Sequence, residues 1–135
     1  NQKFHKIVNF TQIKFVHGGV NPKNKLYFER NQNLKKRSPT IPLEIKFKEE
    51  SKPRYNYQIK NPNEIENLVN IFENGSIAMV KSFKNKSSST EFFFVTTNIP
   101  ELDGRYSIFG KIIKGLDVLK KINKEDYIKA VQIIN

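Results

Sequence analysis

Residues 87–110, SSSTEFFFVTTNIPELDGRYSIFG, constrain the fold more than any other stretch of the chain. A hydroxyl-rich turn leads into Glu91–Thr96, an aromatic and β-branched run that reads as a strand. Pro100 and the Asp103-Gly104 pair interrupt the chain. A second strand follows over Tyr106–Ile113. Two strands joined through a proline loop and a tight Asp-Gly turn point to a β-rich domain.

The remaining sequence extends that pattern. Phe4–Phe10 and Ile13–Val16 carry apolar residues in short runs that suit strands. Gly18-Gly19 and Asn21-Pro22 then break the chain. Residues 23–39 are polar and basic without helical period, which predicts an exposed loop. Ile41, Leu43, Ile45 and Phe47 alternate, predicting a half-buried strand with Pro42 at an edge or early position. Residues 48–54 read as a charged turn, and Tyr55, Tyr57 and Ile59 as a short strand. Ile65, Leu68, Val69 and Phe72 fall on one helical face. They predict a helix over residues 63–75 with Asn63 as N-cap and Gly75 as C-cap. Ser76–Val80 is a further strand, and residues 81–90 a polar loop. Leu116, Leu119 and Ile122 mark a second short helix whose lysines suit the negative end of its dipole. Ala130–Ile134 predicts a final apolar strand. Many short strands and two short helices indicate a mainly β, antiparallel barrel or sandwich.

Composition excludes several classes. The chain has 135 residues, of which 37% are hydrophobic, enough for one core and one domain over residues 1–135. No apolar run reaches the 18 or so residues of a membrane-spanning helix. Without cysteine there are no disulfides, thiolate metal sites or thiol nucleophiles. No His and carboxylate spacing suggests a metal, and no cofactor is expected. The formal net charge of +11 would suit nucleic acid. The lysines are scattered, however, apart from Lys35, Lys36 and Arg37, and no recognition motif interleaves aromatics with them. No specific nucleic-acid partner is expected, and the charge reads more simply as coding bias. Asn1-Gln2-Lys3 runs straight into core-like sequence, which predicts that the chain belongs to a longer product.

The 87–110 stretch resembles the signature of the cyclophilins, the peptidyl-prolyl cis-trans isomerases. Thr90-Glu91-Phe92-Phe93-Phe94 is similar to their Ser-Gln-Phe-Phe-Ile, Leu102-Asp103-Gly104 to their Leu-Asp-Gly, and Ile108-Phe109-Gly110 to their Val-Phe-Gly. The likeness extends over almost the whole chain. It includes Phe4-His5-Lys6 (Phe-His-Arg in the family), Val16-His17-Gly18-Gly19, Gly75–Met79 and Gly110–Ile122. TIPLEI at 40–45, with Pro53 and Tyr55, resembles the cyanobacterial and plastid branch, including its thylakoid-lumen type. A plastid-like organelle is one compartment this suggests, with the cytoplasm otherwise. The resemblance implies a cyclophilin-like antiparallel β-barrel. The family's first two strands and first helix have no counterpart here, so the domain is expected to be N-terminally incomplete.

The resemblance also implies a function: binding proline-containing peptides or protein clients, as a monomer, and isomerising the Xaa-Pro bond. Several positions depart from the family. Lys6 stands where an Arg guanidinium acts as the catalytic group; it keeps the charge and loses the planar fork. His17 replaces a Gln that bonds substrate backbone, and reads equally well as a structural histidine. Phe15, Phe93 and Leu102 correspond to the proline pocket, with Ile13 competing for the place of Phe15. Val80 and Lys81 replace Ala and Asn along the peptide groove. Glu91 replaces a substrate-contacting Gln, Glu101 a cyclosporin-binding Trp, and Tyr106 a His at the pocket rim. Cyclosporin binding is therefore expected to be weak. Lys6, Lys81 and Glu91 are expected to form an ion-pair set across the groove, and His5 to pack as a structural residue. The expectation is a slow prolyl isomerase, with an inactive protein-binding or chaperone module as the alternative.

Overall fold

The computed structural model describes residues 2–10, 13–20, 40–124 and 126–134. Among these residues nine strands form: β1 Gln2–Phe10, β2 Ile13–Gly19, β3 Thr40–Pro42, β4 Glu44–Ile45, β5 Arg54–Tyr55, β6 Ser76–Lys81, β7 Lys86–Val95, β8 Ile108–Lys111 and β9 Tyr127–Ile128. Seven of them make one sheet in the order β8-β6-β7-β2-β1-β9, with β3 also pairing β7. The β4-β5 pair stands apart as a two-stranded sheet. Every pairing is antiparallel. The fold class expected from the sequence is the one that forms: a mainly β sheet curled into a half-barrel.

Strand β7 explains why the sheet is covered on both faces. Successive side chains point to opposite sides of a strand, so Phe92 and Phe94 face one way and Phe93 and Val95 the other. The first side packs Phe4, Val16, Phe94 and Leu119, with Ile7, Ile77 and Phe92 against them. The second packs Phe72, Ala78, Phe93, Val95 and Ile99, with Phe15, Leu102 and Tyr106 against them. Gly18 lies opposite Phe92, and a Cβ there would fall 2.8 Å from the Phe92 ring; the missing side chain makes room for an aromatic one. Helix α1, Leu116–Lys121, covers the first side through buried Leu119. Lys14 on β2 ties it down: its Nζ donates to the carbonyls of Lys120 at 2.7 Å and Ile122 at 2.6 Å. A third cluster, Leu43, Ile45, Phe47 and Leu68, lies under the small sheet.

The helix expected over residues 63–75 is replaced by a 3-10 segment, Pro62–Asn67. Its cap is Asn61 rather than Asn63: Asn61 Oδ1 accepts the Asn63 N–H, and Glu64 Oε2 accepts the Asn61 N–H, each at 3.0 Å. Leu68 is already extended and bridges Phe47. The apolar set that looked like one helical face is divided between two cores. Ile65 and Leu68 join the third cluster, Phe72 joins the second side of the sheet, and Val69 is exposed. Gly75 does not end a helix; it opens β6 with φ +89°.

Other boundaries move as well. The strand expected over 40–47 is split at Leu43, whose N–H bonds Asn85 instead. The strand expected over 55–59 is confined to β5. The 81–90 loop shrinks, because β7 already starts at Lys86. The closing strand expected at 130–134 is absent, and Val131 and Ile133 are exposed; the short β9 closes that side instead. The loop expected at 23–39 lies outside the described residues.

Asp103 fastens the Asp-Gly turn to the core: its buried Oδ1 accepts the Phe72 N–H at 2.6 Å. Burial raises its carboxyl above the ordinary range, opposed by that hydrogen bond and reinforced by Glu101. Asp103→Ala should cost about 1–3 kcal/mol, the penalty for orphaning a buried donor, whereas Asp103→Asn keeps the acceptor and should lose less. The native carboxyl holds its proton to higher pH than the unfolded one. Its contribution to stability therefore falls as pH rises from the ordinary carboxylate value through the raised native one. Urea melts of Asp103→Asn across that window should show a flatter pH dependence than the parent.

Candidate functional site

Register brings distant residues into one row. Lys6 pairs with His17, His17 with Phe93, and Phe93 with Ala78, so β1, β2, β7 and β6 each contribute one side chain to the same face. The next row along that face pairs Val8 with Phe15 and Phe15 with Val95. A bulge between Phe4 and Lys6 makes this possible. His5 is the extra residue, and the bulge lets Phe4 and Ile7 face the first core while Lys6 and Val8 turn to the other side.

Phe93 is the centre of the row. Its ring lies 5.9 Å from Phe72, stacked, and 5.7 Å from His17, stacked. Tyr106 meets it edge-on at 5.4 Å and Phe15 at a tilt at 5.9 Å. Such pairs favour offset or edge geometry and add to simple area burial. Leu102 and Tyr106 arrive from the other direction. The 3-10 turn Pro100–Leu102 is held by the Leu102 N–H on the Ile99 carbonyl, and Ile99 by its own N–H on Phe72, each at 3.0 Å. An irregularity in β6 between Met79 and Lys81 turns both Val80 and Lys81 towards the same space.

The result is a cavity of about 270 Å³. Val8, Phe15 and His17 line one side, Val80 and Lys81 another, Leu102 and Tyr106 a third, and Phe93 the floor. Seven of the nine residues singled out from the sequence therefore share one pocket: Phe15, His17, Val80, Lys81, Phe93, Leu102 and Tyr106. Lys6 is exposed at the β1 end of the same row as His17 and Phe93, and Glu91 is half-buried in the row beyond, opposite Gly19. Phe15 rather than Ile13 takes the wall. Val8 was missed, although it follows Lys6 at the strand's period of two. Phe72, which backs Phe93, was hidden in the expected helix. A larger cavity, about 610 Å³, lies between the 65–73 segment and β8. The Lys111–Glu73 ion pair borders it, and it has no comparable convergence of rings.

The charges do not form the expected set. Glu91 Oε1 pairs with His5 Nε2 at 3.2 Å, and Lys81 Nζ donates to Gln58 Oε1. Lys6, Lys81 and Glu91 are therefore not one ion-paired cluster; the bulge brings His5, not a lysine, against the carboxylate. His5 is largely covered, with a buried Nδ1 that has no hydrogen-bond partner among the described residues. Burial raises the Glu91 carboxyl above its usual range, while His5 and Lys6 pull it back. Burial lowers His17 to about 4, with further lowering by Lys6 and His5. At neutral pH the pocket thus holds an uncharged imidazole with one donor and one acceptor. Among the described residues no group of three His, Cys, Asp or Glu side chains gathers for a metal, and no helix is long and apolar enough to cross a membrane.

The family profile described as Cyclophilin type peptidyl-prolyl cis-trans isomerase/CLD matches residues 1–135. The chain belongs to that family. Curated cyclophilins agree over shorter stretches. A peptidyl-prolyl cis-trans isomerase of Helicobacter pylori (strain ATCC 700392 / 26695) is 37% identical over 70 residues, covering 50% of this chain and 42% of that protein. A probable peptidyl-prolyl cis-trans isomerase of Brucella abortus (strain 2308) is 34% identical over 53 residues, 39% of this chain and 27% of that protein. A peptidyl-prolyl cis-trans isomerase-like 2 protein of Rhizopus delemar is 36% identical over 61 residues, 45% of this chain and 11% of that protein. The matched stretches thus span less than half the length of each of these cyclophilins.

His17 provides a direct check on the site's electrostatics. An NMR titration should find its ring protonating near pH 4. The unfolded chain takes up that proton around 6.5, so between these values the unfolded state binds more protons. Stability should fall as pH drops from about 6.5 towards about 4. Lys6→Gln removes one repelling cation and should move the His17 midpoint upward.

Proposed function

We propose that this cyclophilin-family chain, folded as a single domain, binds Xaa-Pro segments with the proline ring over Phe93 and isomerises them slowly. The observation that carries this reading is the small cavity floored by Phe93 and walled by Phe15, Val80, Leu102 and Tyr106. A compact, apolar pyrrolidine ring can enter it, and the flanking peptide then runs past polar groups at the rim. The reaction needs no covalent step. Amide resonance sets a barrier of about 18–20 kcal/mol, and a site lowers it by favouring the twisted bond over the planar one.

Lys6 is the residue placed to act on the twisted peptide. It is exposed and adjacent to His17 across the β1–β2 pair. As conjugation is lost the lone pair returns to the imide nitrogen, and a cation donating a hydrogen bond there favours the twisted bond over the planar one. An ammonium does so as a mobile point charge, whereas a guanidinium would offer a fixed fork of donors. Turnover is therefore slow. A second reading, a binding module without turnover, draws on Glu91: its carboxyl is engaged by His5 and carries no amide N–H to donate to a peptide.

Exchange NMR on Xaa-Pro peptides tests both readings. A catalysed exchange rate above background is expected, and Lys6→Arg should raise kcat/KM roughly tenfold or more. Phe93→Ala should abolish binding and destabilise the fold by about 3–5 kcal/mol. Binding without any exchange enhancement, in the parent and in Lys6→Arg alike, would leave the module reading. Absence of both binding and exchange would sink the two together.

A further inference from the structure

We infer that Lys81 selects substrates, favouring segments that carry a carboxylate within one or two residues of the proline. This rests on the proline-pocket reading above and adds a chemical class to it. Among the described lining residues Lys81 is the only cation, since His17 is neutral at neutral pH and the other lining side chains are apolar or phenolic. The two acids nearest in sequence to the wall, Glu91 and Glu101, do not line the cavity. Glu91 is engaged by His5, and Glu101 is exposed on the Pro100–Leu102 turn.

The Lys81 ammonium is held by a neutral group. Its Nζ donates to the amide oxygen of Gln58, and among the described residues no carboxylate lies within ion-pair distance of it. An ammonium has three donors, so the amide fixes its position and leaves donors for a ligand. Lys81 is half-buried, against a wall formed by Val80, Leu102 and Tyr106. A carboxylate meeting it there is screened less than one on open surface. Lys6 reinforces the same sign from the far side. It stands on β1, three strand spacings or about 14 Å from β6. A peptide lying across β2 and β7 thus runs between two cations.

The recognising chemistry is that of a carboxylate, which an Asp or Glu side chain and a peptide's C-terminal carboxylate share. Peptides acetylated and amidated at their ends, with Glu, Gln or Lys before or after the proline, isolate the side-chain source. An Ala-Pro peptide with a free C-terminus isolates the other. Amide chemical-shift titrations of the full chain read affinity independently of turnover. A Glu-bearing peptide, or the free C-terminal one, should bind about three- to tenfold tighter than its Gln or amidated partner. Added salt should erode the difference. Lys81→Gln should remove it, and Lys81→Glu should favour the Lys-bearing peptide. The salt series on the parent protein stands even if a variant fails to fold. Equal affinity for Glu, Gln and Lys peptides and for both C-terminal forms, or a preference unchanged in Lys81→Gln, would overturn the role of Lys81 while leaving the proline pocket in place. If no peptide binds, the pocket reading itself fails and the inference with it.

Discussion

The stacking and edge contacts around Phe93 hold the site together. One ring receives Phe72 behind it, His17 beside it, and Phe15 and Tyr106 around its margin. These partners come from three places in the chain, so a single buried side chain aligns β2, the 68–75 segment and the loop before β8. The cavity is the space those rings leave. Its apolar floor is a by-product of packing that the sheet requires for its own stability.

Electrostatics then distinguish the rim from the floor. The irregularity at His5 and that in β6 each turn a polar residue out of the alternation, one against Glu91 and the other into the cavity wall. Glu91 is thereby engaged by His5, a neighbour on β1, and Lys81 is steadied by an amide. The imidazole of His17 is kept uncharged by burial and by the cations near it. Among the described residues the wall therefore presents one cation and no anion to whatever enters.

Much of this was legible in the sequence, for a physical reason. Strand periodicity is strictly two, so Phe15 and His17 share one face of β2 and Glu91 and Phe93 one face of β7, and the β2–β7 register sets the two pairs on the same side of the sheet. The family resemblance supplied the rest of the wall, Val80, Lys81, Leu102 and Tyr106. What escaped was set by tertiary context. The 63–75 segment has helical spacing, yet its apolar residues serve two separate cores, and a helix satisfies only one direction at a time. Phe72 was lost with it. The closing strand was misplaced because Ala130–Ile134 has strand composition without a partner edge, while Tyr127 and Ile128 reach β1. The pairing of His5 with Glu91 depends on a bulge, which composition does not announce.

Helix α1 is six residues long, too short to persist on its own. Its last carbonyls are held by the ammonium of Lys14, which belongs to β2, more than a hundred positions earlier. The helix is thus a reporter of the sheet: it exists only while β2 occupies its place. A residue early in the sequence completes a helix late in it, so α1 is finished only once the pocket's own strand is in place.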